Sequence, residues 1–270
     1  MLLAATTSAF DQVAAAERAF AALSLQKGRH AAYLEFLAPD AIEFGPLPQP
    51  ARPSHENKPK TTATLKWGPS WVAVSAAGDL ALSSGPFEFR PVDVELQGVI
   101  RGLFFSVWRR QPDGSWKVAV DAGIGSPIKF AIPASVENGS KTAAAPATPR
   151  PSDAANARLA MTTAERALTA AAKSGLGAAI AERVEPEARI YREGKTAGIG
   201  PAAARALLTT DKRRVDCTPA QFTASSSGEL GYAYGVCAGE ADGKPKTYGF
   251  LHVWRKQPDG SWRILVDVTP

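Results

Sequence analysis

Apolar positions in the first forty residues recur every three or four places. Phe10, Val13, Phe20 and Leu23 fall near one face at helical spacing, and Tyr33, Phe36 and Leu37 stand in i, i+3, i+4 relation. The pattern predicts a long helix and then a short one, ended by Pro39-Asp40. It then turns strand-like. A short strand is expected over Ala41–Phe44, followed by four runs at roughly 64–76, 79–90, 99–110 and 115–123. Gln-Pro-Asp-Gly joins the last two, with Pro pre-setting φ and Gly taking the left-handed position of a hairpin. Helices first and an antiparallel meander after is an α+β pattern, not a βαβ one.

The whole pattern then happens again. Residues 107–116 read Val-Trp-Arg-Arg-Gln-Pro-Asp-Gly-Ser-Trp, and residues 253–262 repeat nine of the ten. Val120-Asp121 is matched by Val266-Asp267, Ala16-Glu17-Arg18-Ala19 by Ala164-Glu165-Arg166-Ala167, and Gly78-Asp79-Leu80 by Gly228-Glu229-Leu230. The offsets are 146, 148 and 150 residues, too long for a solenoid repeat, so this is a duplicated domain. The second set of strands is expected at 214–226, 229–240, 246–256 and 262–268. Between the copies, Pro-rich, small and polar residues read as a linker. The expected domains are therefore 1–125 and 156–270, with 126–155 as linker.

A length of 270 residues, 45% hydrophobic and 21% charged, suits two modest globular cores. No run approaches a membrane span of about 18–20 apolar residues. Residues 157–270 carry sixteen basic and twelve acidic side chains, against twelve of each in 1–125. The one tight basic cluster, Lys212-Arg213-Arg214, lacks the breadth and aromatic interleaving of a nucleic-acid footprint and reads as a solvated strand entry. Three histidines and two cysteines show no metal-ligand spacing, and there is no Gly-rich phosphate loop, so no metal and no cofactor are expected. Met1-Leu2-Leu3-Ala4-Ala5 lacks a basic lead and is too short for a signal h-region; a trimmed export signal is one reading of it.

The order helix, helix, strand, long antiparallel meander resembles the nuclear transport factor 2-like fold. Gly78–Pro86 with the Val107–Asp121 hairpin, and Gly228–Gly235 with Val253–Asp267, resemble the bacterial family called domain of unknown function 4440, a relative of the SnoaL-like and ketosteroid isomerase-like groups. Tyr191-Arg192-Glu193-Gly194 followed by Gly200-Pro201-Ala202-Ala203 resembles that family's short third helix. Copy one departs there, with a longer Pro-rich stretch at Pro46–Lys60. The resemblance implies two cone-shaped, cystatin-like α+β domains, each with N-terminal helices on a curved antiparallel sheet around an apolar cone. No catalytic constellation of the isomerases can be matched residue by residue.

Candidate site residues follow from polarity and placement. Asp121 and Asp267 end equivalent strands, as pocket carboxylates or as strand-end caps. Simple alternation sets Asp121 with Lys117 and Ala119, opposite Trp116, Val118 and Val120, and so outside the pocket if the Trp face meets the helices. His252 shares a face with Phe250 and Trp254 and replaces Ser106; it reads as an acid–base group or a satisfied core imidazole. Tyr232 and Tyr234 share a face where copy one has Leu82 and Ser84, and Tyr191 and Tyr33 are further polar-tipped aromatics near rims. These choices make copy two the more polar cone and the expected ligand site. Trp108, Trp116, Trp254 and Trp262 read as packing.

A three-residue loop at Ser226-Ser227-Gly228 would pair Ser225 with Glu229. Counting outward then sets Cys217 opposite Cys237, where copy one has Trp67 and Phe87. The pair is a disulfide candidate, which favours a periplasmic or secreted protein over a cytoplasmic one. The leading functional expectation is a module that binds a small, partly apolar molecule. The alternatives are an isomerase, dehydratase or cyclase with one active copy, and an interaction module. The two copies are expected to pack as an intramolecular pseudo-dimer in a monomeric chain.

Overall fold

The computed structural model describes residues 7–140, 150–241 and 244–269. Met1–Ala5 and the linker residues 141–149 lie outside them. Among the described residues no helix is long and apolar enough to cross a membrane.

Copy one opens with α1 (Ala9–Lys27) and α2 (Arg29–Phe36). Ser8 caps α1, its Oγ accepting from the Asp11 amide at 3.1 Å, and Gly28 at φ 91° ends it. The buried stripe of α1 includes Val13, Glu17 and Phe20. Next come β1 (Leu37–Phe44), β2 (Pro48–Pro50) and a 3-10 turn at Arg52–Ser54. The meander is β3 (Thr64–Trp67), β4 (Trp71–Val74), β5 (Leu80–Arg90), a short α3 (Val94–Gln97), β6 (Ile100–Arg110) and β7 (Trp116–Gly125). A final β8 (Glu137–Asn138) falls inside the stretch read as linker and adds to the sheet edge by pairing parallel with β4.

Copy two has α4 (Pro151–Ala172), α5 (Leu176–Ala181), β9 (Val184–Arg192), β10 (Gly198–Ile199), α6 (Pro201–Thr210), β11 (Val215–Ala224), β12 (Leu230–Ala241), β13 (Lys244–Lys256) and β14 (Trp262–Thr269). Its first helix thus begins within the expected linker, with Pro at the first helical position, where the missing N–H is not needed. The sheets run β2-β1-β7-β6-β5-β4-β8 and β10-β9-β14-β13-β12-β11.

Three details differ from the sequence pattern. β1 starts at Leu37, not Ala41, and it and β9 pair in parallel with β7 and β14, so each sheet is mixed rather than wholly antiparallel. The run 64–76 is two strands, broken where the Gly68 carbonyl comes so close to Gly85 that a side chain there would collide with it. The turn between β11 and β12 closes from Ser225 N–H to the Leu230 carbonyl at 2.8 Å, so its loop has four residues, not three. That shifts the register near the turn by one, pairing Ala224 with Gly231, until a bulge between Pro219 and Gln221 shifts it back. Cys217 therefore does face Cys237, and the two form a disulfide.

The two sheets turn one face to their own helices and the other to each other. Val13, Phe20, Trp67, Trp108, Trp116 and Val118 form the helix-side core of copy one, and Met161, Leu168, Ile180, Phe250, Trp254 and Ile264 that of copy two. A third core is shared: Leu82, Phe105, Val107 and Val120 meet Tyr191, Tyr232, Leu251 and Val266. Its border is closed reciprocally. The Asp79 carboxylate accepts from the Ser226 amide at 2.9 Å, and Glu229, its counterpart, accepts from the Ala76 amide at 2.6 Å. The repeated Gly-acid-Leu phrase is thus an interface device, each acid capping the turn of the other copy.

Candidate functional site

Copy one holds a cavity of about 390 Å³ between its helices and sheet. Phe20, Leu65, Trp67, Phe87, Phe89 and Phe104 supply an apolar wall. Tyr33, Glu43, Ser54, His55 and Asp121 supply convergent polar groups, the composition usual in small-molecule sites.

Asp121 reaches this cavity because β7 carries a bulge. Val107 pairs with Val120 but Trp108 pairs with Val118, leaving Ala119 extra. Before it, Trp116 and Val118 face the helices; after it, Val120, Ala122 and Ile124 face the other copy. Alternation counted through Ala119 is therefore off by one, and Asp121 lies on the helix side, within the cavity. Tyr33 Oη donates to its Oδ2 at 2.9 Å and Ser106 Oγ to its Oδ1 at 3.1 Å. Burial raises the Asp121 carboxyl to about 6, with these two hydrogen bonds acting against it and the neighbouring Glu43 adding to it. Burial, and then the Asp121 charge, raise the Tyr33 phenol well above its ordinary value.

Glu43 sits next to Asp121 across the parallel β1–β7 pair. His55 Nε2 contacts Glu43 Oε2 at 2.9 Å, Gln49 donates to its other oxygen at 3.1 Å, and His55 Nδ1 meets His30 Nδ1 at 3.0 Å. Burial works to raise Glu43, but the hydrogen bonds from His55, Ser54 and Gln49 outweigh it and hold the group below its usual range. His55 also stacks on Tyr33, with centroids 4.3 Å apart. The Pro-rich stretch delivers this histidine, which the sequence pattern did not mark. A third carboxylate backs the wall. Glu17 is fully buried, accepts from the indoles of Trp67 (2.7 Å) and Trp108 (2.9 Å), and is raised by burial to about 7.

In copy two the same places are filled. Asp267 also follows a bulge and turns inward, but Arg192 Nη2 lies 2.7 Å from it and His252 Nε2 3.5 Å. Burial works to raise Asp267, and Arg192 and His252 drive it well below its usual range instead. Arg192 also binds Asp211 at 2.9 Å. His252 Nδ1 contacts Glu165 at 2.9 Å, and Trp254 donates to the same carboxylate at 2.7 Å. Each residue has a copy-one counterpart in the ladder: Arg192 stands where Gly45 lines the cavity, His252 where Ser106 is, and Ile180, four residues before its strand, where Tyr33 is. α6 packs over this end through Ala204 and Leu208.

Of the residues singled out by sequence, Tyr33 and Asp121 therefore come together in one cavity. His252 and Asp267 come together in a buried ion network. Tyr191, Tyr232 and Tyr234 lie in the shared core; Tyr191 meets Phe105 at 4.1 Å, and Tyr234 donates to Gln221 at 3.0 Å. Copy two has a cavity of its own, about 320 Å³, lined by Arg192, Asp211, Tyr248 and Thr269, whereas Tyr33 and Asp121 line the one in copy one.

No family model matches the chain, and no curated protein matches it. Among solved structures it is similar to a ketosteroid isomerase-like protein from Erwinia carotovora atroseptica, with 16% identity, 42% of this chain and 93% of that one covered, and a TM-score of 0.37. It is similar to a nuclear transport factor 2-like protein with a cystatin-like fold from Novosphingobium aromaticivorans, with 20% identity, 43% and 81% covered, and a TM-score of 0.34. A nuclear transport factor 2-like protein of unknown function from Pseudomonas putida shares 13% identity over 43% of this chain and 86% of its own, with a TM-score of 0.36.

Proposed function

We propose that copy one is a proton-transfer enzyme of the isomerase or dehydratase type, acting on a small, largely apolar carbonyl compound, and that copy two is its structural partner. The observation that carries this is Asp121, a carboxyl raised to about 6 that lines a cavity while bonded to Tyr33. A base near neutrality combines the right protonation state with a useful driving force. Asp121 Oδ takes a proton from the carbon beside the carbonyl, and the C–H electron pair moves to the carbonyl oxygen. Tyr33 Oη turns its hydrogen bond to that oxygen. Asp121 then returns the proton to carbon. Glu43, kept ionised by His55, supports the raised value of Asp121 from the next strand.

The test is hydrogen–deuterium exchange at the α-carbon of 2-tetralone, followed by NMR. Exchange is expected to exceed buffer alone, to rise with pH through about 6 and level off, and to fall on the order of 100-fold in Asp121→Asn. Tyr33→Phe is expected to slow it less. Exchange no faster than buffer, or unchanged in Asp121→Asn, would refute the reading. In that case the apolar wall of the cavity supports a binding module instead.

A further inference from the structure

The copy-one cavity carries opposite charge at its two ends. Asp121 and Glu43 stand together on adjacent strands. The other end is marked by Ile100, a lining residue that is 46% exposed, paired across the sheet with Phe89. Arg29 lies over that Phe89, its guanidinium 5.6 Å from the ring centroid, and it is the only lysine or arginine among the lining residues. Among the described residues no carboxylate pairs with it. The acid of that strand end, Glu88, is already held by Arg90 at 2.8 Å and Arg101 at 2.9 Å. The Lys60 stem passes beside Gly28, next in sequence to Arg29.

We infer that the ligand of this cavity is a small amphiphilic carboxylate, its acid group bound by Arg29 at the mouth and its carbonyl or hydroxyl group turned to Tyr33 and Asp121. A flat guanidinium stacked on a ring keeps its fork of donors free and matches a carboxylate in two parallel hydrogen bonds. The acidic inner end repels an anion, so a charged ligand has one favourable orientation. The volume of about 390 Å³ is near the small end of ligand sites, which run roughly 300–1,000 Å³, and fits one or two rings. The polar half of this assignment rests on the proton-transfer reading; the Arg29 anchor does not.

Calorimetric titration of the full chain with 4-acetylbenzoate and its neutral isostere 4-acetylbenzamide tests it. The acid is expected to bind on the order of tenfold tighter than the amide in low salt, with the gap narrowing as salt rises. Arg29→Gln should abolish the preference by weakening the acid far more than the amide, with the same thermal midpoint as the wild type; Arg29→Lys should keep part of it. Equal affinities in the wild type, a preference that survives Arg29→Gln, or no binding of either compound would overturn the inference. If the preference holds while deuterium exchange at the acetyl group stays at the buffer rate, the proton-transfer reading falls alone.

Discussion

His252 is a buried imidazole whose removal should change both the stability and its pH dependence. Burial by itself would push its proton off, but Glu165 at 2.9 Å and Asp267 at 3.5 Å reverse this and raise it to about 9. The ordinary value is 6.5. A group raised on folding stabilises the protein fully below the unfolded value and loses that contribution as pH climbs through the folded one. The gap, at 1.36 kcal/mol per pH unit, amounts to about 3 kcal/mol lost between pH 6.5 and 9. His252→Gln leaves Glu165 and Asp267 facing each other across one missing cation, a change of the kind that costs roughly 3–5 kcal/mol at neutral pH. Urea unfolding at pH 6, 7, 8, 9 and 9.5, for wild type and variant, measures both. The expected result is a wild type that weakens steadily above pH 6.5 and a weaker variant with a flatter profile. A wild type whose stability is level or rising over that window, or a variant that keeps the wild-type slope, would refute the assignment of a charged His252.

Glu17, in the other copy, should act in the same direction over a lower pH window. Raised from 4.5 to about 7, its contribution is full below pH 4.5 and fades as pH rises to 7, so Glu17→Gln should flatten the fall in stability between those values; an unchanged slope in urea unfolding would count against it. Thiol titration of the denatured chain without reductant should find no free thiol, and two after reduction, since Cys217 and Cys237 are paired; two thiols before reduction would rule out the bond and weaken the case for an exported protein. We propose that each copy serves as the other's dimer partner, so sedimentation should show a monomer at micromolar concentration; a concentration-dependent dimer would overturn this.

What the sequence made legible was whatever repeats or alternates locally. The hairpin Gln-Pro-Asp-Gly closes as expected, with Gly114 and Gly260 at φ 85° and 84°. The Cys217–Cys237 pairing was read correctly from a turn one residue too short, because a bulge restored the count. Asp121 was misplaced for the same kind of reason, with no second bulge to compensate: Ala119 looks like any strand residue, yet it reverses which face every later side chain meets. Glu43 and His55 carry no pattern at all, since the second arrives on a Pro-rich excursion that only tertiary structure brings back to β1. Glu17 did leave a signal. It interrupts an apolar helical stripe between Val13 and Phe20, and its counterpart Glu165 does the same in copy two, so a buried acid with fixed donors was readable from the repeated tetrad.

The duplication shows two ways of settling the same buried charge. Both copies place a helix glutamate against a hairpin tryptophan and turn a strand-end aspartate inward, so both begin with buried negative charge. Buried charge has to be neutralised by a proton or by a counter-charge. Copy two takes the second course: Arg192 and His252 occupy the space beside Asp267 and Glu165, and their charge settles it. Copy one takes the first. Gly45 and Ser106 leave room where Arg192 and His252 stand, so Asp121 and Glu17 hold on to protons to higher pH instead. A raised carboxyl beside a cavity and an ion pair in a filled core are thus two solutions to one electrostatic problem. Three positions decide between them: Gly45 or Arg192, Ser106 or His252, Tyr33 or Ile180.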